Sequence, residues 1–368
     1  MNRFRLRKKE YLKNLDGIIE YIAFDKGQKK LLNKVNNEDV KDSQNDIYQL
    51  CKQYEGVLRT PLVYNAIIIS IYGCYEAFID KISNDLLDFF TTRVTNYYDL
   101  SEKLRNKHIR KSGEFLSNSN RFRGFETSER EVINNLQKCL GDDIQYELNK
   151  ELLMSHGGNL RVEQLIELLS DFGIQDSKTR ILNNPQYVKY IAEKNDIQLA
   201  EATSYINSKN KDKDNILFEE LEILVEQRNK VAHGWCVDTR ISYDIILNRI
   251  ITFMKMIGEV LCGILEEELV LVLKNSGMLN EFNIIDVFNN SVVCLNCKNA
   301  KLKVGDFIVC RNENRYKLLE IMSIQCNKND IEEISEENLD VGIRVDSYIK
   351  KNWSYYYIDN ENAKNKTV

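Results

Sequence analysis

The segment that most constrains this chain reads Leu221-Glu-Ile-Leu224-Val-Glu-Gln-Arg228-Asn229-Lys-Val-Ala-His233-Gly234. It closes an amphipathic run over residues 215–233, in which apolar side chains recur at helical spacing. Gly234 is the residue type expected just past a helix C-terminus. The run therefore predicts one helix that ends at Gly234, with an apolar stripe formed by Leu217, Leu221, Leu224 and Val231.

Three polar side chains stand at the end of this predicted helix. At about 100° per residue, Arg228 falls in the middle of the apolar stripe. Its guanidinium cannot lose its proton, so it must meet a carboxylate, a phosphate or water. Asn229 and His233 are four positions apart and share a neighbouring face. Because His233 is also one of only three histidines, we expect the chemistry of the protein at this helix end.

The composition is that of a globular protein without a strong charge. The 368 residues carry a formal charge of −5, with 43% hydrophobic and 29% charged residues. Because there is no global positive field, nucleic-acid binding would have to use local basic patches. The nine cysteines are an odd number and no secretory signal is recognised, so we interpret them as reduced thiols. The most apolar run, Ala66–Cys74, is too short to span a bilayer, and we expect a cytoplasmic protein without a membrane partner.

The order of sequence patterns predicts a mainly α protein with a small β-rich domain at its C-terminal end. A basic helix over 3–25 and a polar loop over 27–44 form the expected N-terminal part, residues 1–44. A helical domain is expected over 45–275, with insertions at about 91–150 and 175–214. The helix over 62–90 is apolar almost all round, which is typical of a central position in a bundle.

Within that apolar helix lies a carboxylate, Glu76. A buried carboxylate costs several kcal/mol unless it is paired or protonated. Arg228, the other charged residue on an apolar stripe, is the natural candidate for its partner. We therefore predict an ion pair between Glu76 and Arg228.

The insertion over 91–150 is rich in basic residues interleaved with aromatic ones, as in Asn120-Arg-Phe-Arg-Gly-Phe125. One interpretation is a solvated helical insertion, and the other is a surface that follows phosphates and stacks bases. His108 belongs to this insertion and could contact RNA. Asn159 is expected to cap a helix over 160–172, and His156 is interpreted as a surface turn residue. The candidate RNA-binding residues are Arg105, Lys107, Arg110, Arg121, Arg123 and Arg161.

With Arg228-Asn229 and His233 at a helix end, the chain resembles the HEPN superfamily of all-helical nucleotide-binding proteins and ribonucleases. The likeness is closest to the RiboL-PSP-HEPN type of bacterial conflict and defence loci, over roughly 45–275. The segments Tyr75-Glu76-Ala-Phe78 and Gly158-Asn159-Leu-Arg161 add to it. The resemblance implies a HEPN-type four-helix bundle made of helices near 45–59, 62–90, 215–233 and 243–274.

The resemblance also implies an endoribonuclease that needs no metal or other cofactor and acts as a homodimer. His233 would be the general base or acid for attack of the ribose 2′-hydroxyl, which typically contributes about 10²–10⁴-fold in rate. Arg228 would stabilise the phosphorane charge, Asn229 would position the imidazole or the phosphate, and Glu76 would orient Arg228. Arg228 and His233 are five positions apart, about 140° around an ideal helix. Their convergence needs an unwound last turn or a second chain.

Two other interpretations stay open. Some HEPN proteins bind without cleaving, and Arg228 and His233 could also be purely structural, as an ion-pair residue and a cation at a helix C-terminus. We expect a ribonuclease that cleaves RNA, such as tRNA, as a toxin or phage-defence effector that halts translation. The alternative is a non-catalytic RNA- or protein-binding module whose β-domain recruits a partner. Expected partners are RNA, a second copy, and a translation-machinery, phage or antitoxin protein.

The region over 276–360 reads as a small barrel-like β-domain, followed by a flexible tail over 361–368. The segments Leu302-Lys-Val-Gly305-Asp306 and Leu339-Asp-Val341-Gly342 resemble the β-barrel second domain of translational GTPases. Cys294 and Cys297 form a Cys-x-x-Cys pair, but no second closely spaced pair completes a zinc site, and no metal is expected. The predicted strands are Asn283–Val287, Ser291–Leu295, Asp306–Val309, Lys317–Ile324, Val341–Val345 and Trp353–Ile358.

Overall fold

A computed structural model describes residues 2–37, 49–50, 53–54, 61–118, 124–141, 146–155, 158–210, 216–234, 240–297, 300–312, 315–334 and 339–359. The described residues form helices in the N-terminal part and an antiparallel sheet in the C-terminal part. This confirms the predicted fold class. The chain divides into two compact units, and the first of them combines Arg5–Asn84 with Met154–Cys262. The second unit consists of Met1–Phe4, Asp85–Leu153 and Gly263–Val368.

The N-terminal part of the described chain is built from helices. One of them, α11, continues a turn at Tyr243–Ile245 and a π-helical segment at Ile246–Ile251. Single 3-10 turns lie at Tyr97–Asp99 and Ile216–Phe218. The α-helices of the described residues are α1 Asn2–Asn37, α2 Leu62–Arg93, α3 Glu102–Ser117, α4 Glu129–Leu140, α5 Lys150–Met154, α6 Val162–Asp171, α7 Ser177–Leu182, α8 Pro185–Asn195, α9 Leu199–Lys209, α10 Glu219–Ala232 and α11 Thr252–Asn275.

Helix α1 is longer than predicted, so the polar loop expected over 27–44 is wrong for residues 27–37. The helix continues because Asp25, 1% exposed, pairs with Lys29 one turn later at 2.6 Å. The hydroxyl of Tyr54 also donates a hydrogen bond to Asp25 at 2.7 Å. The expected bundle helix over 45–59 lies mostly outside the described residues, as does the tail over 361–368.

Helix α2 up to Asn84 supplies much of the core of the first unit, as its apolar pattern predicts. Ile68, Ile71 and Tyr75 are completely buried. One side of the helix is nevertheless exposed, including Ile69 at 43%. By length and composition alone this helix could cross a membrane, a test that core helices of globular proteins also pass, and half of its most apolar window is buried.

Helix α10 begins beside a buried ion-pair cluster. Glu220 is fully buried and pairs with Lys194 at 2.6 Å and with Arg249 at 3.1 Å. Arg249 lies in the π-helical segment Ile246–Ile251 and also reaches Glu219 at 2.8 Å. Two cations around one carboxylate offset the cost of burying it. The apolar stripe packs as predicted at Leu217, Leu221 and Leu224, which are buried, whereas Val231 is only half-buried.

Both predicted insertions are helical. The segment over 91–150 contains α3 and α4, and each begins with a serine cap, Ser101 and Ser128. The segment over 175–214 contains α7, α8 and α9, and Pro185 stands at the first turn of α8. The predicted domain boundaries stay predictions.

The C-terminal sheet contains all six predicted strands, and no strand boundary differs from its prediction by more than three residues. It is antiparallel, with strand order β1-β8-β4-β5-β7-β3-β2 and β6 paired to β5. Alternate side chains of β3, namely Val293, Leu295 and Cys297, enter the core. The strands are β1 Leu279–Glu281, β2 Asn283–Phe288, β3 Val292–Cys297, β4 Phe307–Asn312, β5 Arg315–Cys326, β6 Asn329–Ile331, β7 Leu339–Val345 and β8 Ser354–Ile358.

The Cys-x-x-Cys pair lies on β3, where the strand geometry separates the two thiols. Residues three apart in a strand face opposite sides of the sheet, and Cys297 is buried in the core whereas Cys294 is half-buried. Burial raises the pKa of the Cys297 thiol to about 12. Within the described residues, no group of three or more histidine, cysteine or acidic side chains could hold a metal ion.

Candidate active site at the end of helix α10

Helix α10 ends where the sequence predicts. Ala232 is its last residue, His233 is the C-cap, and Gly234 adopts a φ of +73°, in the left-handed region that glycine tolerates. The His233 side chain is exposed. An exposed imidazole at a helix end is accessible to a ligand in solution.

Arg228 lies on an aromatic face. Its guanidinium carbon is 5.3 Å from the centroid of the Tyr72 ring, on α2. Its Nη1 also donates a hydrogen bond to Oδ1 of Asn229 at 3.3 Å. The side chain is only partly exposed, so ring and amide restrict the orientations in which the cation meets a ligand.

The predicted ion pair between Glu76 and Arg228 is not among the ion pairs of the described residues. Tyr72 interacts with both residues, because the carboxylate of Glu76, one turn along α2, helps to raise the pKa of its hydroxyl while its ring contacts Arg228. Burial and the hydrogen bond to Glu76 both raise the pKa of the Tyr72 hydroxyl. Tyr72 is therefore the residue that both Glu76 and Arg228 contact.

The loop before α6 joins the two helices that carry these residues. The backbone N–H of Leu160 donates to the Tyr72 hydroxyl of α2 at 2.9 Å. On the other side, Nδ2 of Asn159 donates to Oδ1 of Asn229 on α10 at 2.8 Å. The prediction that Asn159 caps the following helix is wrong, since Arg161 occupies the N-cap. The side chain of Asn159 is bonded to Asn229 of α10 instead.

Arg161 forms an ion pair with Glu222 of α10. The two side chains are 32% and 21% exposed. Arg161 was a candidate RNA-binding residue, and this pairing gives it a structural partner. This ion pair is the second contact between the loop and α10, after the hydrogen bond from Asn159 to Asn229.

The end of α10 stays regular up to His233. The N–H of His233 still donates to the carbonyl of Asn229 at 3.0 Å, the normal helical pattern, and the left-handed turn comes only at Gly234. The separation of about 140° between Arg228 and His233 therefore persists. Asn229 lies between them, bonded to Arg228 through its side chain and to His233 through its backbone.

The other candidate RNA-binding residues differ in their surroundings. Lys107 is only 7% exposed because it shares the buried stripe of α3 with Leu104 and His108, which contradicts its assignment to an RNA-binding surface. Arg105 lies 5.5 Å from the Tyr98 ring centroid, and Arg110 pairs with Glu114 at 2.9 Å. Arg121 and Arg123 lie outside the described residues.

His108 is fully buried, so the expectation that it contacts RNA is wrong. Its Nε2 accepts a hydrogen bond from the backbone N–H of Asn149 at 3.0 Å, so the proton of the neutral ring is on Nδ1. Nδ1 lies 3.1 Å from the Tyr97 hydroxyl, and burial lowers the pKa of His108 to about 4. His108 is thus a neutral core residue. His156 lies outside the described residues.

Sequence reasoning missed the roles of Tyr72 and Asn159. Tyr72 is four positions before Glu76, a helical spacing that could have indicated their contact. No local signal links Asn159 to Asn229, because they lie 70 positions apart. Their pairing depends on how α2, α6 and α10 pack.

Fold and site together define an all-helical domain with an arginine, an asparagine and an exposed histidine at one helix end. The family model of RiboL-PSP-HEPN matches residues 29–267, more than half of the chain. The chain therefore belongs to the RiboL-PSP-HEPN family, as its motifs predict, and the match begins before the expected residue 45. No curated protein matches the chain. Membership supports an RNA-related nuclease or RNA-binding role.

Proposed function

We propose that this protein is a metal-independent endoribonuclease. The observation that carries the proposal is the arrangement at the end of α10: an exposed His233 adjoins Asn229, which is bonded to Arg228. The unperturbed pKa of an imidazole is near neutrality, which suits transfer of the 2′-hydroxyl proton. A guanidinium with free N–H groups suits the charge that develops on phosphate oxygens.

The reaction needs no water or metal in its first step. The ribose 2′-oxygen attacks the adjacent phosphorus while His233 takes the 2′-hydroxyl proton, and the bond to the 5′-oxygen of the next nucleotide breaks. The leaving 5′-oxygen takes a proton from solvent, and the imidazolium of His233 returns its proton to solvent, so that the products carry a 2′,3′-cyclic phosphate and a 5′-hydroxyl end. Arg228 and Asn229 stabilise the negative charge on the non-bridging oxygens. Tyr72 supports Arg228, and Glu76 holds Tyr72.

A homodimer would allow an Arg228 and a His233 side chain to act on the same phosphate. Since α10 stays regular through His233, Arg228 and His233 of one chain face different directions. Two copies related by a two-fold axis would place the arginine of each chain near the histidine of the other. Mixing R228A with H233A tests this, because a shared cleft predicts recovery of about a quarter to a half of the activity in the mixture.

The direct test is cleavage of tRNA and total RNA by the purified protein in EDTA, followed by analysis of the new ends. Cyclic phosphate ends that disappear in both R228A and H233A, with melting temperatures unchanged, are the expected result. Binding without cleavage would favour the non-catalytic module instead. Undiminished cleavage by both variants would refute the assignment.

The biological proposal is a toxin or phage-defence effector in the cytoplasm that halts translation. It predicts that induced expression stops incorporation of labelled amino acids within minutes, and that H233A does not. Sequencing of RNA ends after induction would identify the substrate. Normal translation with the wild-type protein at the same level would contradict the effector role.

A further inference from the structure

The side chain of Asn159 reaches the candidate site from outside helix α10. Its Nδ2 donates to Oδ1 of Asn229 at 2.8 Å, and Nη1 of Arg228 donates to the same oxygen at 3.3 Å. One amide oxygen thus accepts two hydrogen bonds, one from the preceding residue and one from a distant loop.

These contacts leave only one consistent orientation of the two amides. A guanidinium has N–H donors and no acceptor, so the Asn229 atom that faces Arg228 must be the oxygen. Asn159 must then offer its NH₂ group to that oxygen, because two amide oxygens would repel each other. Arg228 and Asn159 together determine which end of the Asn229 amide faces away from them.

The outward end is a donor. Among the described residues, every hydrogen bond of the Asn229 side chain involves Oδ1, which leaves the two N–H bonds of Nδ2 available. The guanidinium of Arg228, which is bonded to the same amide through Nη1, carries further N–H donors. Neighbouring donors of this kind suit phosphate oxygens, whereas an outward-facing amide oxygen would repel them.

The position of Asn159 is itself restrained. Gly158, with a φ of +99°, makes the turn before it, and the N–H of Leu160 after it is bonded to the Tyr72 hydroxyl. Arg161 adds the ion pair with Glu222. Because these contacts already restrain the loop, Asn159 can orient the Asn229 amide without losing much side-chain entropy.

We infer that Asn159 is a positioning residue that holds the Asn229 amide with Nδ2 facing the scissile phosphate. Arg228 and Asn229 then bind non-bridging oxygens of the RNA phosphate as one donor set. The inference rests on the proposed ribonuclease function and adds a residue that lies outside the arginine–histidine helix.

The sharpest variant is Asn159→Asp, which nearly preserves shape but replaces the donor with an acceptor. The Asn229 amide then either turns its Nδ2 toward the new acceptor and away from the phosphate, or keeps only the hydrogen bond from Arg228. We expect cleavage and affinity for a 2′-O-methyl RNA oligonucleotide to fall roughly 10- to 100-fold. Asn207→Asp, on the exposed face of α9, adds the same charge and should change either value less than about threefold.

A double-mutant cycle separates positioning from general damage. In an Asn229→Ala background, Asn159→Asp should change cleavage and affinity less than about threefold, because its target is gone. An equal loss in both backgrounds would overturn the inference. If Asn159→Asp lowers the melting temperature, Asn159→Ala, which removes the donor without adding charge, replaces it in the cycle.

The two readouts distinguish failure of the inference from failure of the proposed function. A wild-type protein that binds the 2′-O-methyl oligonucleotide but does not cleave unmodified RNA refutes the ribonuclease, and the affinity cycle still decides the role of Asn159. Cleavage with an additive cycle refutes the inference alone. Absence of both binding and cleavage refutes both.

Discussion

The guanidinium carbon of Arg228 lies 5.3 Å from the centroid of the Tyr72 ring. An aromatic face on α2 therefore supports the cation, and the carboxylate of Glu76 acts one step further away, on the Tyr72 hydroxyl. Cation–π contacts are worth about 0.5–2 kcal/mol and leave the N–H edge of the guanidinium free. This arrangement restricts the orientation of the Arg228 guanidinium.

Two substitutions of Tyr72 distinguish the contribution of its ring from that of its hydroxyl. Tyr72→Phe should keep cleavage within about threefold but lower the free energy of unfolding by about 1–3 kcal/mol, because the Leu160 N–H and Glu76 lose a partner. Tyr72→Leu should also reduce cleavage, by roughly 3- to 30-fold, as the cation–π contact disappears. Steady-state kinetics and urea unfolding measure both quantities. Equal cleavage losses in the two variants would contradict a role for the ring.

Replacement of Glu76 tests whether its negative charge matters. Glu76→Gln keeps an oxygen that can accept from the Tyr72 hydroxyl, so cleavage should stay within about threefold of wild type. Glu76→Leu removes the acceptor and should lower the free energy of unfolding by about 1–2 kcal/mol. A loss of more than tenfold in Glu76→Gln would instead favour a direct ionic role on Arg228.

Removal of Arg161 should damage stability more than RNA binding. Arg161→Ala leaves Glu222 partly buried without its ion pair, and we expect a loss of about 1–3 kcal/mol in the free energy of unfolding. RNA affinity of the folded variant should fall far less than in Asn159→Asp, because the hydrogen bond from Leu160 to Tyr72 still restrains the loop, and its salt dependence should not change, because Arg161 is occupied by Glu222. A reduction of the salt slope by about one unit would instead identify Arg161 as a phosphate contact.

The buried His108 predicts a pH dependence of stability. Its folded pKa of about 4 lies below the ordinary value of 6.5, so between these values the unfolded chain binds a proton that the folded chain does not. Stability from this residue is therefore complete above about pH 6.5 and declines as the pH falls toward 4, by about 3 kcal/mol in all.

His108→Gln isolates this contribution, because its side-chain oxygen can still accept from the Asn149 N–H. The difference in free energy of unfolding between wild type and variant, measured by urea unfolding from pH 7.5 to 4.5, cancels the common titration of carboxylates. We expect wild type to lose stability faster as the pH falls. A constant difference across this range would contradict a neutral buried histidine.

Much of the fold follows from local patterns in the sequence. The spacing of Leu217, Leu221 and Leu224 and the position of Gly234 predict α10 and its end correctly. All six predicted strands exist, because alternation in a half-buried strand is a strong signal. The extension of α1 beyond 25 was missed because Gly27 and its polar neighbours look like a loop. Asp25 and Lys29 have the i,i+4 spacing of a helical ion pair, but the burial of Asp25 is not visible in the sequence.

The candidate site was predictable in its residues but not in its connections. Arg228, Asn229 and His233 stand out locally, whereas the support from Tyr72 and the contact with Asn159 depend on packing between distant segments. The prediction of a direct Glu76–Arg228 ion pair rests on charge alone. Charge does not indicate that Arg228 contacts the Tyr72 ring instead. Lys107 shows the same weakness, since composition places a lysine at the surface although its helix face turns it inward.

The π-helical turn at Ile246–Ile251 holds one more residue than an α-helical turn would, because its hydrogen bonds skip five residues rather than four. That extra residue sets the register of everything after it in α11, and it brings Arg249 to Glu220. Loss of a single residue there would leave the helix unbroken but rotate its remaining length by about 100°. The turn is thus a place where related chains can differ in length by one residue while the helix survives and its partners change.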